Sequence, residues 1–156
     1  YGIKKSLREI GIKHIFKTLN GVDIIVIQTK EKKLVIIPLY VRGEDWHSEF
    51  EVVKEYFRAT TETHIIMVGD INVRIGNLQQ NLDATNINFN AGLDTRKSKD
   101  EVVNAKGRSF MEFCNDYGLV VLNGRTIGDE DGGYTFISTV GSSVNDFCVT
   151  SFEALV

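Results

Sequence analysis

The sequence predicts an α/β layered sandwich, in which packed sheets are flanked by helices. About seven or eight short runs rich in β-branched and aromatic residues alternate with two stretches of helical periodicity. Several of the strand-like runs are apolar at every position, which is typical of strands that are covered on both faces. Because a chain of 156 residues accommodates these elements in one core, we expect a single domain.

The first part of the chain predicts an antiparallel ladder, a helix and a buried strand. Strand-like runs extend over Gly11–Leu19, Val22–Gln28 and Leu34–Tyr40. Asn20-Gly21, between the first two runs, is a strong hairpin signal. Apolar residues spaced three and four apart predict a helix over Glu44–Thr60, and the apolar run His64–Val68 predicts the next strand.

The second part predicts one more helix and the remaining strands. An apolar stripe over Asn104–Tyr117, with Gly118 after it, is typical of a helix and its C-terminal stop. Further strands are predicted over Leu119–Leu122, Tyr134–Ile137 and Val144–Thr150. Gly141-Ser142-Ser143 is interpreted as the turn between the last two. The long polar stretch Asn77–Val103 predicts either a functional surface loop or partial disorder.

Composition excludes some classes of protein. No apolar run is long enough to span a bilayer, and hydrophobic residues at 42% are near the globular average. The net charge of -3 argues against a uniformly basic nucleic-acid-binding surface. A local basic cluster remains available, formed by Lys4, Lys5, Arg8, Lys13 and Lys17.

The cysteines and the first residues bear on compartment and context. Cys114 and Cys148 have apolar neighbours in a predicted helix and strand, so we expect buried free thiols rather than a disulfide. Free thiols predict a reducing, intracellular compartment. The chain opens at Tyr1 without a leader pattern, and we expect it to be the interior of a longer polypeptide.

The abrupt end of one apolar run is the first candidate for chemistry. Gly69-Asp70-Ile71-Asn72 follows His64–Val68, and side chains two residues apart on an extended segment share a face. Asp70 and Asn72 could therefore reach one phosphate, metal or water together. The alternative is a turn that uses these side chains for its own backbone hydrogen bonds. A calcium loop is disfavoured, because Arg74 and Asn81 occupy ligand positions.

Asp146 and Tyr40 are the other candidates. Asp146 interrupts an otherwise apolar strand, where a buried carboxylate would need a partner such as a histidine, an arginine or a metal. Surface alternation is the alternative for Asp146. Tyr40 ends a strand and is either a core residue or a hydrogen-bond donor to a phosphate.

The order of the motifs makes the chain recognisable. They are Tyr40-Val41, Val68-Gly69-Asp70-Ile71-Asn72-Val73-Arg74-Ile75-Gly76, Asn104-Ala105-Lys106-Gly107-Arg108, Phe113-Cys114, Leu122-Asn123-Gly124-Arg125, Tyr134-Thr135-Phe136-Ile137-Ser138 and Ser143-Val144-Asn145-Asp146. In this order they resemble the endonuclease/exonuclease/phosphatase superfamily. In detail they are similar to the apurinic-type endonuclease domain of non-LTR retrotransposons, which lies upstream of a reverse transcriptase.

The resemblance implies a four-layer α/β sandwich, with two mostly antiparallel sheets between helices, and hydrolysis of a DNA phosphodiester with Mg²⁺ or Mn²⁺. Asp70 would orient or deprotonate the attacking water, and Asn72 would bind the scissile phosphate. The metal would lie at Asp70 and Asn72. Tyr40 would contact a non-bridging oxygen, and Asp146 would hold the catalytic histidine. DNA and a reverse transcriptase domain are the implied partners, and the nucleus the implied location.

The chain departs from the family pattern in three places. The family's metal-binding Glu and an early Asn would precede Tyr1, its catalytic His would follow Val156, and Gly43 replaces a residue that contacts phosphate in relatives. We therefore expect a partial domain with truncated terminal strands and impaired catalysis. Two alternatives remain, an inactive fragment acting as a binding or scaffold protein and a phosphatase or phosphodiesterase of the same superfamily. Exposed sheet edges would also favour self-association.

Overall fold

The computed structural model describes residues 13–19, 21–82 and 95–155. Its elements, in chain order, are β1 (Lys13–Leu19), β2 (Val22–Gln28), β3 (Lys33–Tyr40), α1 (Trp46–Ala59), β4 (Ile65–Asp70), α2 (Ala105–Asp116), β5 (Leu119–Val121), β6 (Phe136–Ser138), β7 (Gly141–Ser143), β8 (Asp146–Ser151) and a 3₁₀ turn (Phe152–Ala154). Lys4, Lys5 and Arg8 of the basic cluster, Asn20 of the hairpin signal, and residues 83–94 of the polar stretch lie outside the described residues.

Six strands form one mixed sheet in the order β1-β2-β3-β4-β8-β5, and β6 and β7 pair separately. All pairs in the large sheet are antiparallel except β3 and β4, which α1 connects as a crossover. The mixed architecture confirms the α/β sandwich class. The predicted strands and helices recur with ends shifted by a few residues.

One predicted turn is wrong. Gly141–Ser143 forms strand β7 and pairs with β6, with Ser143 opposite Phe136. The small residues suggested a turn, but β6 and β7 are exposed or partly exposed throughout, so this ribbon can form from small and polar residues without an apolar face. The actual connection lies between Ser138 and Gly141, where the hydroxyl of Ser138 accepts a hydrogen bond from the Val140 amide.

One face of the six-stranded sheet packs on the helices and forms the core. Its residues are aligned across the strands and almost fully buried; they include Ile24, Ile37, Met67, Val149 and Val121. The helices contribute rings to this core, as in the edge-on contact of Phe50 with Phe113 at 5.1 Å between centroids. Phe110 of α2 also packs against Phe147 of β8 at 6.0 Å. The helix layer therefore supports the two strands β4 and β8 from behind.

On the opposite face, the rows across β3, β4 and β8 nearest the strand ends are partly exposed and end in polar residues. Pro38, Val68 and Cys148 occupy one row across β3, β4 and β8. The next row in which side chains point to this face contains Tyr40, Asp70 and Asp146. Cys114 is buried and Cys148 is partly buried, and both are free thiols, as predicted. Within the described ranges, neither helix has the length and apolarity needed to cross a membrane.

Among the described residues, strand β1 is an edge of the large sheet and carries exposed apolar side chains, and we predict that it drives self-association. Ile15, Phe16 and Leu19 are each about half exposed on this edge strand. Such an edge can pair with another chain. We expect a concentration-dependent dimer in sedimentation velocity, weakened by Phe16→Lys. A monodisperse monomer across the same concentration range would refute this prediction.

Candidate functional site

Pairing of three neighbouring strands brings Tyr40, Asp70 and Asp146 together. Tyr40 is opposite Asp70 in the parallel pair β3–β4, and Asp70 is opposite Asp146 in the antiparallel pair β4–β8. Directly opposed residues have Cβ atoms about 5 Å apart and point to the same face. Three of the four predicted site residues therefore form one row at the end of the sheet.

Asn72 joins this row by a different route from the one predicted. Strand β4 ends at Asp70, and Asn72 has a φ of 53°, so the segment is not extended at this residue. The Asp70 carboxylate accepts a hydrogen bond from the Asn72 amide at 2.9 Å, which closes an Asx turn. The turn alternative is thus correct for the backbone, and the turn holds the Asn72 backbone against the Asp70 carboxylate.

The Asn72 side chain is held across the strand gap. Its Nδ2 donates to the Val41 carbonyl at 2.9 Å, and the Val41 amide donates to the Asp70 carbonyl at 2.9 Å. A carboxamide nitrogen carries two N–H groups, so a second donor remains for a ligand oxygen. The indole of Trp46 donates to the carbonyl of Ile71 at 2.8 Å and fixes the residue between Asp70 and Asn72.

The environment raises the pKa of the Asp70 carboxyl. Partial burial is the largest cause, and the nearby Asp146 carboxylate adds like-charge repulsion. The hydrogen bond from the Asn72 amide acts in the opposite direction, but it is the smaller effect compared with burial. A carboxylate of increased basicity beside a second acid is suited to accepting a proton from water or to binding a cation.

Asp146 is exposed at the start of β8, so the expectation of a buried charge with a compensating partner is wrong for it. Surface alternation accounts for this acid, because water solvates its charge. Its backbone is nevertheless fixed. The Thr135 hydroxyl accepts from the amides of Asn145 and Asp146 at 3.0 and 3.1 Å, and the Asn123 side chain donates to the Asp146 carbonyl at 3.1 Å.

Tyr40 is 71% exposed, which excludes the alternative that it is a core residue. It is the last residue of β3 and is opposite Asp70 in the register, so it lies on the same face of the sheet as the two acids. A phenol in this position presents a hydroxyl to whatever approaches Asp70.

Sequence reasoning assigned no role to the ion pair between Arg74 and Asp100. The guanidinium contacts the carboxylate through two nitrogens, Nε to Oδ2 at 2.8 Å and Nη2 to Oδ1 at 2.5 Å. Burial alone would raise the pKa of the Asp100 carboxyl, but Arg74 and the amides of Val144 and Val102 outweigh it and lower the pKa. Asp100 is therefore an ionised carboxylate within the fold, and only its position in a polar stretch was visible in the sequence.

Lys106 was also missed, and it brings a positive charge towards Asn72. Its ammonium donates to the carbonyl of Gly43, and a Cβ built on Gly43 would lie 3.8 Å from Asn72 Oδ1. The position of Lys106 follows from how the first turn of α2 is held, by Asn104 and by Gly107. Asn104 caps α2 by accepting from the Gly107 amide at 2.7 Å, and a side chain at Gly107 would clash with the Arg74 carbonyl at 2.0 Å.

The donor set fits a weakly held divalent cation. Within residues 13–19, 21–82 and 95–155, no group of three or more His, Cys, Asp and Glu side chains forms a ready metal site. Mg²⁺, however, is usually bound by one or two carboxylates together with water and substrate phosphate. The opposed Asp70 and Asp146, whose repulsion contributes to the raised pKa of Asp70, provide carboxylates that a cation would stabilise.

Comparisons with known proteins bear on the fold. No protein-family model matches the sequence. No curated protein matches it either. Among solved structures, the endonuclease domain of TRAS1, a telomere-specific non-LTR retrotransposon, superposes with a TM-score of 0.64 at 18% identity. The match covers 92% of this chain and 56% of that one. Over nearly its whole length, this chain is therefore similar in fold to a non-LTR retrotransposon endonuclease domain.

Proposed function

We propose that this chain carries active-site residues of a metal-dependent DNA endonuclease that hydrolyses phosphodiester bonds. The observation that supports the proposal best is the row of Tyr40, Asp70 and Asp146, with Asn72 beside it, on an open sheet face. This row lies in a fold similar to that of a retrotransposon endonuclease domain.

Each side chain has a role that its geometry permits. Asp70, with its raised pKa, orients the attacking water and accepts its proton. Asn72 donates its second amide N–H to the scissile phosphate, because the first is used by Val41. The exposed Tyr40 hydroxyl donates to a non-bridging oxygen. Asp146 contributes negative charge opposite Asp70 and, by resemblance, orients a histidine.

In this proposal Asp70 and Asn72 would hold Mg²⁺ or Mn²⁺, and the Asp146 carboxylate opposite Asp70 would add negative charge that favours the cation. A bound divalent cation stabilises the charge that develops on the phosphate and on the leaving oxygen. In this proposal the substrate is DNA, and the parent polypeptide is a retrotransposon protein that also carries a reverse transcriptase. The protein would therefore act in the nucleus.

Supercoiled plasmid provides the direct test. The assay compares Mg²⁺ with EDTA, and it uses both this chain and a version extended at both ends, since this chain spans only 56% of the similar solved structure. We expect Mg²⁺-dependent nicking by the extended version and much slower nicking by this chain. Absence of nicking by both would contradict the proposal and favour the binding or scaffold alternative. Release of phosphate from lipid or inositol phosphates without nicking would favour the phosphatase alternative.

Lys106 gives a separate prediction about DNA affinity. Lys106→Met should weaken binding to a duplex oligonucleotide by roughly three- to tenfold and lower the salt dependence of log Kd by about one unit, as loss of one phosphate contact does. Fluorescence anisotropy over a salt series measures both quantities.

Lys30→Met is the matched control for Lys106. Lys30 is exposed in the turn between β2 and β3, at the opposite end of β3 from Tyr40, and its loss should leave the salt dependence unchanged. Equal effects of the two substitutions would argue against a phosphate contact by Lys106.

A further inference from the structure

Asp100 is a buried carboxylate that joins the two segments carrying the candidate site. Only 2% of its side chain is exposed. Its Oδ1 accepts from Arg74 Nη2 and from the Val102 amide at 3.1 Å, and its Oδ2 accepts from Arg74 Nε and from the Val144 amide at 3.1 Å. Arg74 lies two residues after Asn72, and Val144 lies two residues before Asp146.

The same two segments meet directly next to the site. The Ile71 amide donates to the Asn145 carbonyl at 3.0 Å, so the residue after Asp70 is bonded to the residue before Asp146. Asp100 takes no part in this hydrogen bond. It holds Arg74, three residues after Ile71, and Val144, one residue before Asn145. A shift of either segment relative to Asp100 would therefore change the spacing between Asp70 and Asp146.

The segment around Asp100 is itself anchored. Ser98 accepts from the Asp100 amide at 3.2 Å and donates to its carbonyl at 3.0 Å. The amides of Lys97 and Lys99 donate to the carbonyls of Gly124 and Gly132 at 3.1 and 2.9 Å. Asp100 is thus attached to the body of the fold rather than carried by the loops it contacts.

We propose that Asp100, through its paired contacts with Arg74 and the Val144 amide, is a positioning residue that sets Asn72 and Asp146 in register with Asp70. As a role in catalysis, the proposal rests on the proposed endonuclease function. A fork of two parallel hydrogen bonds to a buried carboxylate has little freedom to shift, and small misplacements of reacting groups have large effects on rate. The carboxylate therefore determines the geometry of a site that it does not touch.

Amide hydrogen exchange on the full chain tests the positioning directly. Asp100→Asn should accelerate exchange at Ile71 and Asn72, whose acceptors are Asn145 and Asp70, by about tenfold or more. Amides of the β2–β3 ladder, such as Ile25 and Ile36, should keep their rates. Glu51→Gln, which breaks the exposed pair with Arg58 on α1, should change neither set. Arg74→Lys, which keeps the charge and loses the fork, provides a second variant if Asp100→Asn does not fold.

Nicking kinetics complete the test in whichever version of the protein nicks plasmid. We expect kcat to fall about tenfold or more with KM for DNA within about twofold of wild type. Equal acceleration of exchange in the site and in the β2–β3 ladder would overturn the proposal, because Asp100 would then contribute only to global stability. If neither wild-type version nicks, the endonuclease function is contradicted, while the exchange pattern still decides whether Asp100 sets the geometry of the site.

Discussion

Replacement of Asp70 by Asn is expected to reduce Mg²⁺-dependent nicking by about 100-fold or more, the range typical for loss of a general base. Asn keeps an oxygen that can accept the Asn72 amide, so the Asx turn can remain closed. What disappears is the negative charge beside Asp146 and the capacity to accept a proton. The measurement is the rate of conversion of supercoiled to open-circular plasmid, in the version of the protein that nicks.

Asp116→Asn is the matched control for Asp70. Asp116 is exposed at the C-terminal end of α2, about 14 Å along the helix from Gly107, which contacts the Arg74 segment. This substitution removes the same charge from the chain and should leave nicking unchanged. Nicking at the wild-type rate by Asp70→Asn would refute the role assigned to Asp70, even if the protein proved to be a nuclease.

Local periodicity was sufficient to predict both helices and most strands, but it did not predict which residues form the site. The limits of α1, for example, follow from the spacing of Trp46, Phe50, Val53 and Phe57, all of which are buried. The adjacency of Asp70 and Asp146 depends on pairing between strands that are far apart in the sequence, and periodicity carries no information about such partners. Only the order of motifs, through the family resemblance, placed these two residues in one site.

Buried charge is the second reason that the sequence was insufficient. Asp146, expected to need a partner, is exposed, whereas Asp100 and Arg96, in a stretch interpreted as a polar loop, are buried. Arg96 donates to the carbonyls of Gly76 and Leu78 at 2.6 and 3.0 Å. Burial, with the charge of Arg125 nearby, lowers the pKa of Arg96 to about 10, so it remains protonated at neutral pH. A charge satisfied by main-chain carbonyls leaves no pattern in the sequence.

Gly69→Ala should destabilise the fold by about 3 to 4 kcal/mol, combining backbone strain with overpacking. Gly69 has a φ of 142°, and a Cβ at this position would lie 2.0 Å from the Leu39 carbonyl oxygen. Strands β3 and β4 are central in the sheet and pair in register at Leu39 and Gly69, so neither can move aside without breaking the ladder. The free energy of unfolding in urea measures the loss.

Gly43→Ala is the matched control for Gly69, because the described atoms nearest to a Cβ at Gly43 belong to the Asn72 side chain and lie at ordinary van der Waals distances. We expect a change within about 0.5 kcal/mol. A wild-type unfolding midpoint for Gly69→Ala would mean that β3 and β4 approach less closely than described. If the substitution is as costly as expected, the occurrence of glycine immediately before Asp70 has a structural cause. Glycine is then required for β3 to lie against β4, and this close approach is what places Tyr40 beside Asp70.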